Sequence, residues 1–106
     1  MAQEVTFKVV WTEPAICDLE RIDRHLRRRN PAAANRVGEN LLKKAGLLAQ
    51  HPELGPVWEE YPAWRYLVLR PYRVYYRILE DHRVVEISHL RHGSRDNPTV
   101  DDLMTD

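Results

Sequence analysis

The sequence predicts an α+β domain: an N-terminal strand, an antiparallel two-helix hairpin, then a three-stranded antiparallel meander, with both helices packed on one face of the sheet. Three observations predict it. Val5, Phe7, Val9 and Trp11 alternate with Thr6 and Lys8, the period of a strand. Two apolar stripes at helical spacing follow, split by Asn30-Pro31. Three runs rich in valine, tyrosine and isoleucine come last, separated by tight turns.

The first strand runs from Val5 to Trp11. Thr12 has the side chain of a helix N-cap, and Glu13 sits well at the positive end of a helix dipole. Trp11 and Ile16 hold the positions of a hydrophobic staple. Pro14 is tolerated in the first turn, where its missing N–H has no intrahelical partner to lose. Ala15, Leu19, Ile22 and Leu26 then make an apolar stripe, and the helix is expected to end near Arg29. On its outer face Glu20 precedes Arg24, and Asp23 precedes Arg27, by one helical turn.

Asn30-Pro31 starts a second helix as cap and first helical residue. Its stripe is Ala34, Val37, Leu41, Ala45 and Leu48, and Pro52 sets its expected end at His51. So short a connection makes the helices antiparallel neighbours. Glu53 to Pro62 reads as turn and loop, with room for a short extended piece at Val57 to Glu60. Strands are expected at Trp64–Arg70, Arg73–Glu80 and Arg83–Leu90, turning at Pro71-Tyr72 and Asp81-His82.

With 106 residues the chain is read as one domain, of which 96–106 form an acidic tail. Its 43% hydrophobic and 30% charged residues are ordinary for a soluble globular protein. No apolar run approaches a bilayer span, and the N-terminus has no secretory pattern, so the expected location is cytoplasmic with no membrane partner. A single cysteine, Cys17, excludes an internal disulfide and a cysteine-clustered zinc site, and the histidines lack ligand spacing. No metal or cofactor is expected. Sixteen basic and 16 acidic residues cancel, which argues against a surface built wholly for nucleic acid. Locally the balance differs. Arg65, Arg70, Arg73, Arg77, Arg83, Arg91 and Arg95 face only Glu80, Asp81 and Glu86 before the acidic tail.

Residue parity sorts the meander into two faces. Leu67, Leu69, Val74, Tyr76, Ile78, Val85 and Ile87 form an apolar face for the helices, and His89 shares their parity. The other face carries Tyr66, Val68, Arg70, Arg73, Tyr75, Arg77, Leu79, Val84, Glu86, Ser88 and Leu90. Two helices cover one face only, so the second is expected to be covered by the tail, a second copy or a partner chain. Arginine and tyrosine are the residue types that dominate binding hot spots.

Four stretches give the chain a family resemblance: WTEPAICDLERIDRHL, LLAQHPELG, RPYRVYYRI and ISHLRHGSRD. In this order they resemble the RelE/ParE toxin superfamily of type II toxin–antitoxin systems, over nearly the whole chain. The resemblance implies a toxin that blocks growth until a cognate antitoxin wraps it in a hetero-oligomer. RelE-type members cut messenger RNA on the ribosome; ParE-type members inhibit DNA gyrase. The long helical hairpin and the LRHGSRD ending resemble the ParE branch, often tied to plasmid stabilisation. Where RelE carries two lysines, this chain has Trp64 and Tyr66, and Asp101 stands in place of a functional tyrosine. A ribosome-dependent ribonuclease is the alternative, and a degenerate, non-toxic antitoxin-binding module the third reading.

The resemblance matches Arg73 and Arg95 to arginines of a ribonuclease site. Guanidinium groups fork onto phosphate but are poor proton carriers at neutral pH. A ribonuclease would therefore need His89, His92 or Glu86 for proton transfer, and His92 beside Gly93 is the best placed. Candidate residues for binding target or antitoxin are Tyr66, Arg70, Arg73, Tyr75, Arg77, Leu90 and Arg95, with an ion pair from Glu86 to Arg73 or Arg77 as the structural explanation of that trio.

Overall fold

A computed structural model describes residues 6–93. Strand β1 spans Lys8–Trp11, helix α1 Glu13–Arg27 and helix α2 Pro31–Gly46; strands β2, β3 and β4 span Arg65–Leu69, Tyr72–Leu79 and Val84–His92. The Thr12 hydroxyl oxygen accepts from the Ala15 N–H at 3.3 Å, and the Asn30 side chain accepts from the Ala33 N–H at 3.1 Å. Both caps stand where the sequence puts them. Asp23 and Arg27 close their predicted pair at 2.8 Å, and Arg27 also reaches Asn35 of α2 at 2.9 Å, tying the two helices beside their connection. Each helix stops sooner than expected. The last turn before Pro52 tightens into a 3-10 turn over Leu47–Ala49.

The sheet order is β1-β4-β3-β2. The meander is antiparallel, while β1 lies parallel to β4 with Lys8 opposite Val84 and Trp11 opposite Ile87. Parallel neighbours need a long connection, which the helical hairpin and the meander between β1 and β4 supply. The sheet is therefore mixed, though largely antiparallel. Ala15, Leu41, Ala45 and Leu48 of the helical layer meet Leu67, Val74, Tyr76, Val85 and Ile87 of the predicted apolar face in one core.

Strand β4 departs from simple alternation. Tyr76 pairs with Ile87 and Tyr75 with His89, so Ser88 is an extra residue in a β-bulge. Beyond it every side chain changes face relative to the straight parity reading. Leu90, expected on the outer face, lies opposite Val74 and is only 2% exposed in the helix-side core. His89, expected to point toward the helices, shares a register position with Tyr75 instead.

The expected Asp81-His82 turn is a 3-10 turn over Glu80–His82, closed by Arg83 in the left-handed region at φ 51°. The loop between α2 and β2 is more ordered than the sequence suggests. Its extended piece exists as a bridge between Val57 and Arg65. The Tyr76 hydroxyl anchors it, donating to the Pro52 carbonyl at 2.7 Å and accepting from the Gly55 N–H at 2.9 Å. Gly55 must lack a side chain, because a Cβ there would run into the Tyr66 carbonyl.

Candidate functional site: the arginine face and the β4 edge

The same loop folds over part of the outer sheet face. Trp58 and Trp64 bury Tyr75, with Tyr61 and Tyr66 packed around them. Trp58 lies 4.8 Å from Tyr61 and 5.1 Å from Tyr75, ring centre to ring centre, in edge-on and tilted contacts. Tyr75 is on the outer face as predicted, but at 1% exposure it belongs to a second small core rather than to an open surface. The expectation that the whole face waits for a tail, a copy or a partner is thus corrected in part: the chain covers the Tyr75 end itself.

What remains open on this face is basic. The Arg73 guanidinium lies 5.3 Å over the Tyr66 ring, and that of Arg77 lies 5.1 Å over Trp64. Glu86 pairs with Arg77, Nε to Oε1 at 2.9 Å, and not with Arg73. Arg73 makes no ion pair among the described residues. Stacking on Tyr66 holds its charge in place while leaving the guanidinium edges for an external anion. Val68, its cross-strand neighbour, is 42% exposed, and Arg70 is exposed in the turn that follows β2. Arg95 and the acidic tail lie outside the described residues.

The other end of β4 holds a polar cluster that the sequence reading missed. β1 leaves the edge of β4 at Ile87, and the start of α1 takes over its hydrogen bonds. The Thr12 N–H donates to the Ile87 carbonyl at 3.0 Å, and the Thr12 hydroxyl to that of Ser88 at 3.2 Å. Asp18, 5% exposed, then accepts from three groups of β4 on Oδ2: the Leu90 N–H at 3.1 Å, Nδ1 of His89 at 3.2 Å and Nη1 of Arg91 at 3.0 Å. Arg21 reaches Oδ1 at 3.3 Å from an exposed position. Burial pushes the Asp18 carboxyl up, but the His89 and Leu90 hydrogen bonds and the Arg91 charge outweigh it and hold the group below its ordinary value. A signal for this was present. Asp18 stands three residues after Ala15 and four before Ile22, inside the apolar stripe, where an acid needs partners.

His92 stacks edge-on against Tyr72 at 5.6 Å, on the helix side of the sheet, and Arg73 is on the other. The structure therefore brings Tyr66, Arg73, Arg77 and Glu86 together on the face that His89 shares through its pairing with Tyr75, and sets Leu90 and His92 on the other side.

A helical hairpin on one side of a mixed four-stranded sheet is the architecture that the sequence resemblance to the RelE/ParE toxin superfamily implies. The chain matches the family described as ParE toxin of type II toxin–antitoxin systems over residues 9–97, and it belongs to that family. It is 32% identical over 88 residues to Toxin RelE2 of Caulobacter vibrioides, covering 83% of this chain and 97% of that one. Among solved structures it is similar to the chromosomal ParDE system of P. aeruginosa, with a TM-score of 0.71, 22% identity, and 82% of this chain and 96% of that chain covered. It is also similar to the RelBE2 toxin–antitoxin complex of Mycobacterium tuberculosis, with a TM-score of 0.64, 24% identity, and 87% and 97% covered. The two structural likenesses establish the fold. Among the described residues no helix is long and apolar enough to cross a membrane.

Proposed function

We propose that this chain is a ParE-like toxin that acts in the cytoplasm, arrests growth by binding DNA gyrase, and is neutralised by a cognate antitoxin. One observation carries the choice of binder over nuclease. On the outer face Arg73 stacks on Tyr66 and makes no ion pair among the described residues, while Glu86 pairs with Arg77 and the Nδ1 of His89 with Asp18. A placed cation whose neighbouring acid and imidazole are engaged by other partners suits the recognition of an acidic surface better than cleavage of a phosphodiester. The match to the ParE family over most of the chain supports the same branch. The antitoxin partner is supported by the toxin–antitoxin complex among the similar solved structures.

The test is gyrase supercoiling against ribosome-bound message, with the same purified protein in both assays. Loss of supercoiling with intact message is expected. Cleavage of message at defined codon positions with gyrase unaffected overturns this reading in favour of a ribosome-dependent ribonuclease, the branch whose name the Caulobacter relative bears. Failure to arrest growth at all leaves a non-toxic binding module.

A further inference from the structure

Between α1 and β4, where β4 runs on beyond the end of β1, lies an open cleft of about 750 Å³. Its charged and titratable walls come from two elements: Arg21 and His25 from α1, and His89, Arg91 and His92 from β4, with Asp18 between them. Asp18 is the one acid among them, and its two oxygens already receive Arg21, His89, the Leu90 N–H and Arg91. Two guanidinium groups sharing one carboxylate leave a surplus positive charge before any histidine is counted. Arg91 spends only Nη1, on Asp18 and on the Leu90 carbonyl; its Nε and Nη2 make no hydrogen bond among the described residues. The rest of the lining is apolar, with Ile22, Tyr72 and Leu90 prominent. Small-ligand sites have this composition, an apolar wall with a few convergent polar groups.

We propose that this cleft binds a small phosphate monoester, with the phosphate between Arg91, Arg21 and His25 and the attached apolar or planar group against Tyr72, Ile22 and Leu90. Donors that converge from two sides of a cleft call for a ligand with more than two acceptor oxygens and more than one negative charge. A phosphate monoester offers three oxygens and close to two charges at neutral pH. A carboxylate answers one guanidinium fork and leaves the other side unpaired. The proposal does not depend on the gyrase reading.

The test uses the purified full-length chain, isotope-labelled, titrated with inorganic phosphate and then with phenyl phosphate. The expected result is saturable shifts of the Tyr72, Leu90 and Arg91 backbone resonances, with phenyl phosphate about tenfold tighter, since its ring is removed from water. Arg21 and His25 are both exposed, so Arg21→Gln and His25→Gln should leave the fold intact. Combined, they should weaken phenyl phosphate about tenfold or more, because both donors face the anion. Shifts that never saturate, equal affinity for the two probes, or unchanged affinity in the double variant each overturn the proposal. Saturation of the same resonances by a short oligoribonucleotide without a terminal phosphate, at equal or higher affinity, overturns the monoester in favour of a nucleic-acid backbone.

Discussion

Asp18→Asn is the sharpest perturbation of this fold, because a single carboxylate joins α1 to the free edge of β4. Asparagine keeps one oxygen to accept the Leu90 N–H but loses the charge that holds Arg91 and His89. The Leu90 and His89 contacts are buried, and Arg91 is partly so, with its side chain 25% exposed. Hydrogen bonds to a charged acceptor contribute about 1.5–3 kcal/mol each, and breaking a buried pair costs about 3–5 kcal/mol. The exposed Arg21 contact adds little. With the Leu90 bond retained, a loss of about 2–4 kcal/mol at neutral pH is reasonable. Urea unfolding should show it as a lower midpoint at constant slope. The pH dependence follows from the direction of the shift. The Asp18 carboxyl titrates below 3.8 when folded, so its contribution is fully present above that value. It fades as pH falls through the folded value. The gap between wild type and Asp18→Asn should therefore be constant above about pH 5 and close as the solution is acidified further. A gap under about 0.5 kcal/mol, the size of an ordinary surface substitution, refutes the buried-anchor account, as does a gap that persists unchanged into acid.

Leu90→Ala should cost about 2–5 kcal/mol by opening a cavity in the core, while Val68→Ala on the exposed face should stay within about 0.5 kcal/mol; chemical denaturation measures both, and similar losses would contradict the bulged register. Trp58→Ala should cost about 3–5 kcal/mol and increase access of solvent to Tyr75, read by tyrosine fluorescence quenching. Unchanged stability there would mean that the aromatic loop does not cover the face. Arg73→Ala should move Tm little, since its stacking on Tyr66 is worth about 0.5–1 kcal/mol, yet abolish growth inhibition. If stability and toxicity collapse together, Arg73 holds the sheet and does not bind a target.

The fold was legible because its elements follow their own periods. Thr12 and Asn30 announce both helices, and the apolar parity of Leu67, Val74, Tyr76, Val85 and Ile87 marks the helix-facing side. Long-range facts were not legible. Nothing in Lys8–Trp11 says that this strand pairs with β4 in parallel, and nothing in Glu53–Pro62 says that Trp58 folds back over Tyr75. The site suffered most from one residue. A parity reading carried through Ser88 exchanges the faces of His89 and Leu90, so a core leucine was counted as a binding residue. It also hid Asp18, whose place in the α1 stripe makes sense only once Leu90 and Arg91 arrive beside it.

The bulge itself can be tested by removal. Pairings on both sides of Ser88, Ile87 with Tyr76 and His89 with Tyr75, are those of a regular ladder from which one residue has been added. Deleting Ser88 should therefore leave Ile87 and Leu90 facing the helices and His89 facing outward. The loss should be modest, because the residue contributes a carbonyl to the Thr12 hydroxyl at 3.2 Å, worth about 1 kcal/mol, and its own buried hydroxyl has no hydrogen-bond partner among the described residues. Ser88→Ala, which removes only that unpaired hydroxyl, should be neutral or stabilising. If parity instead ran straight through β4, the deletion would throw His89, Leu90 and Arg91 onto the wrong faces and cost the cooperative transition. Equilibrium unfolding of the deletion variant separates the two. A single transition lowered by about 1–2 kcal/mol supports the bulge, and loss of any transition rules it out.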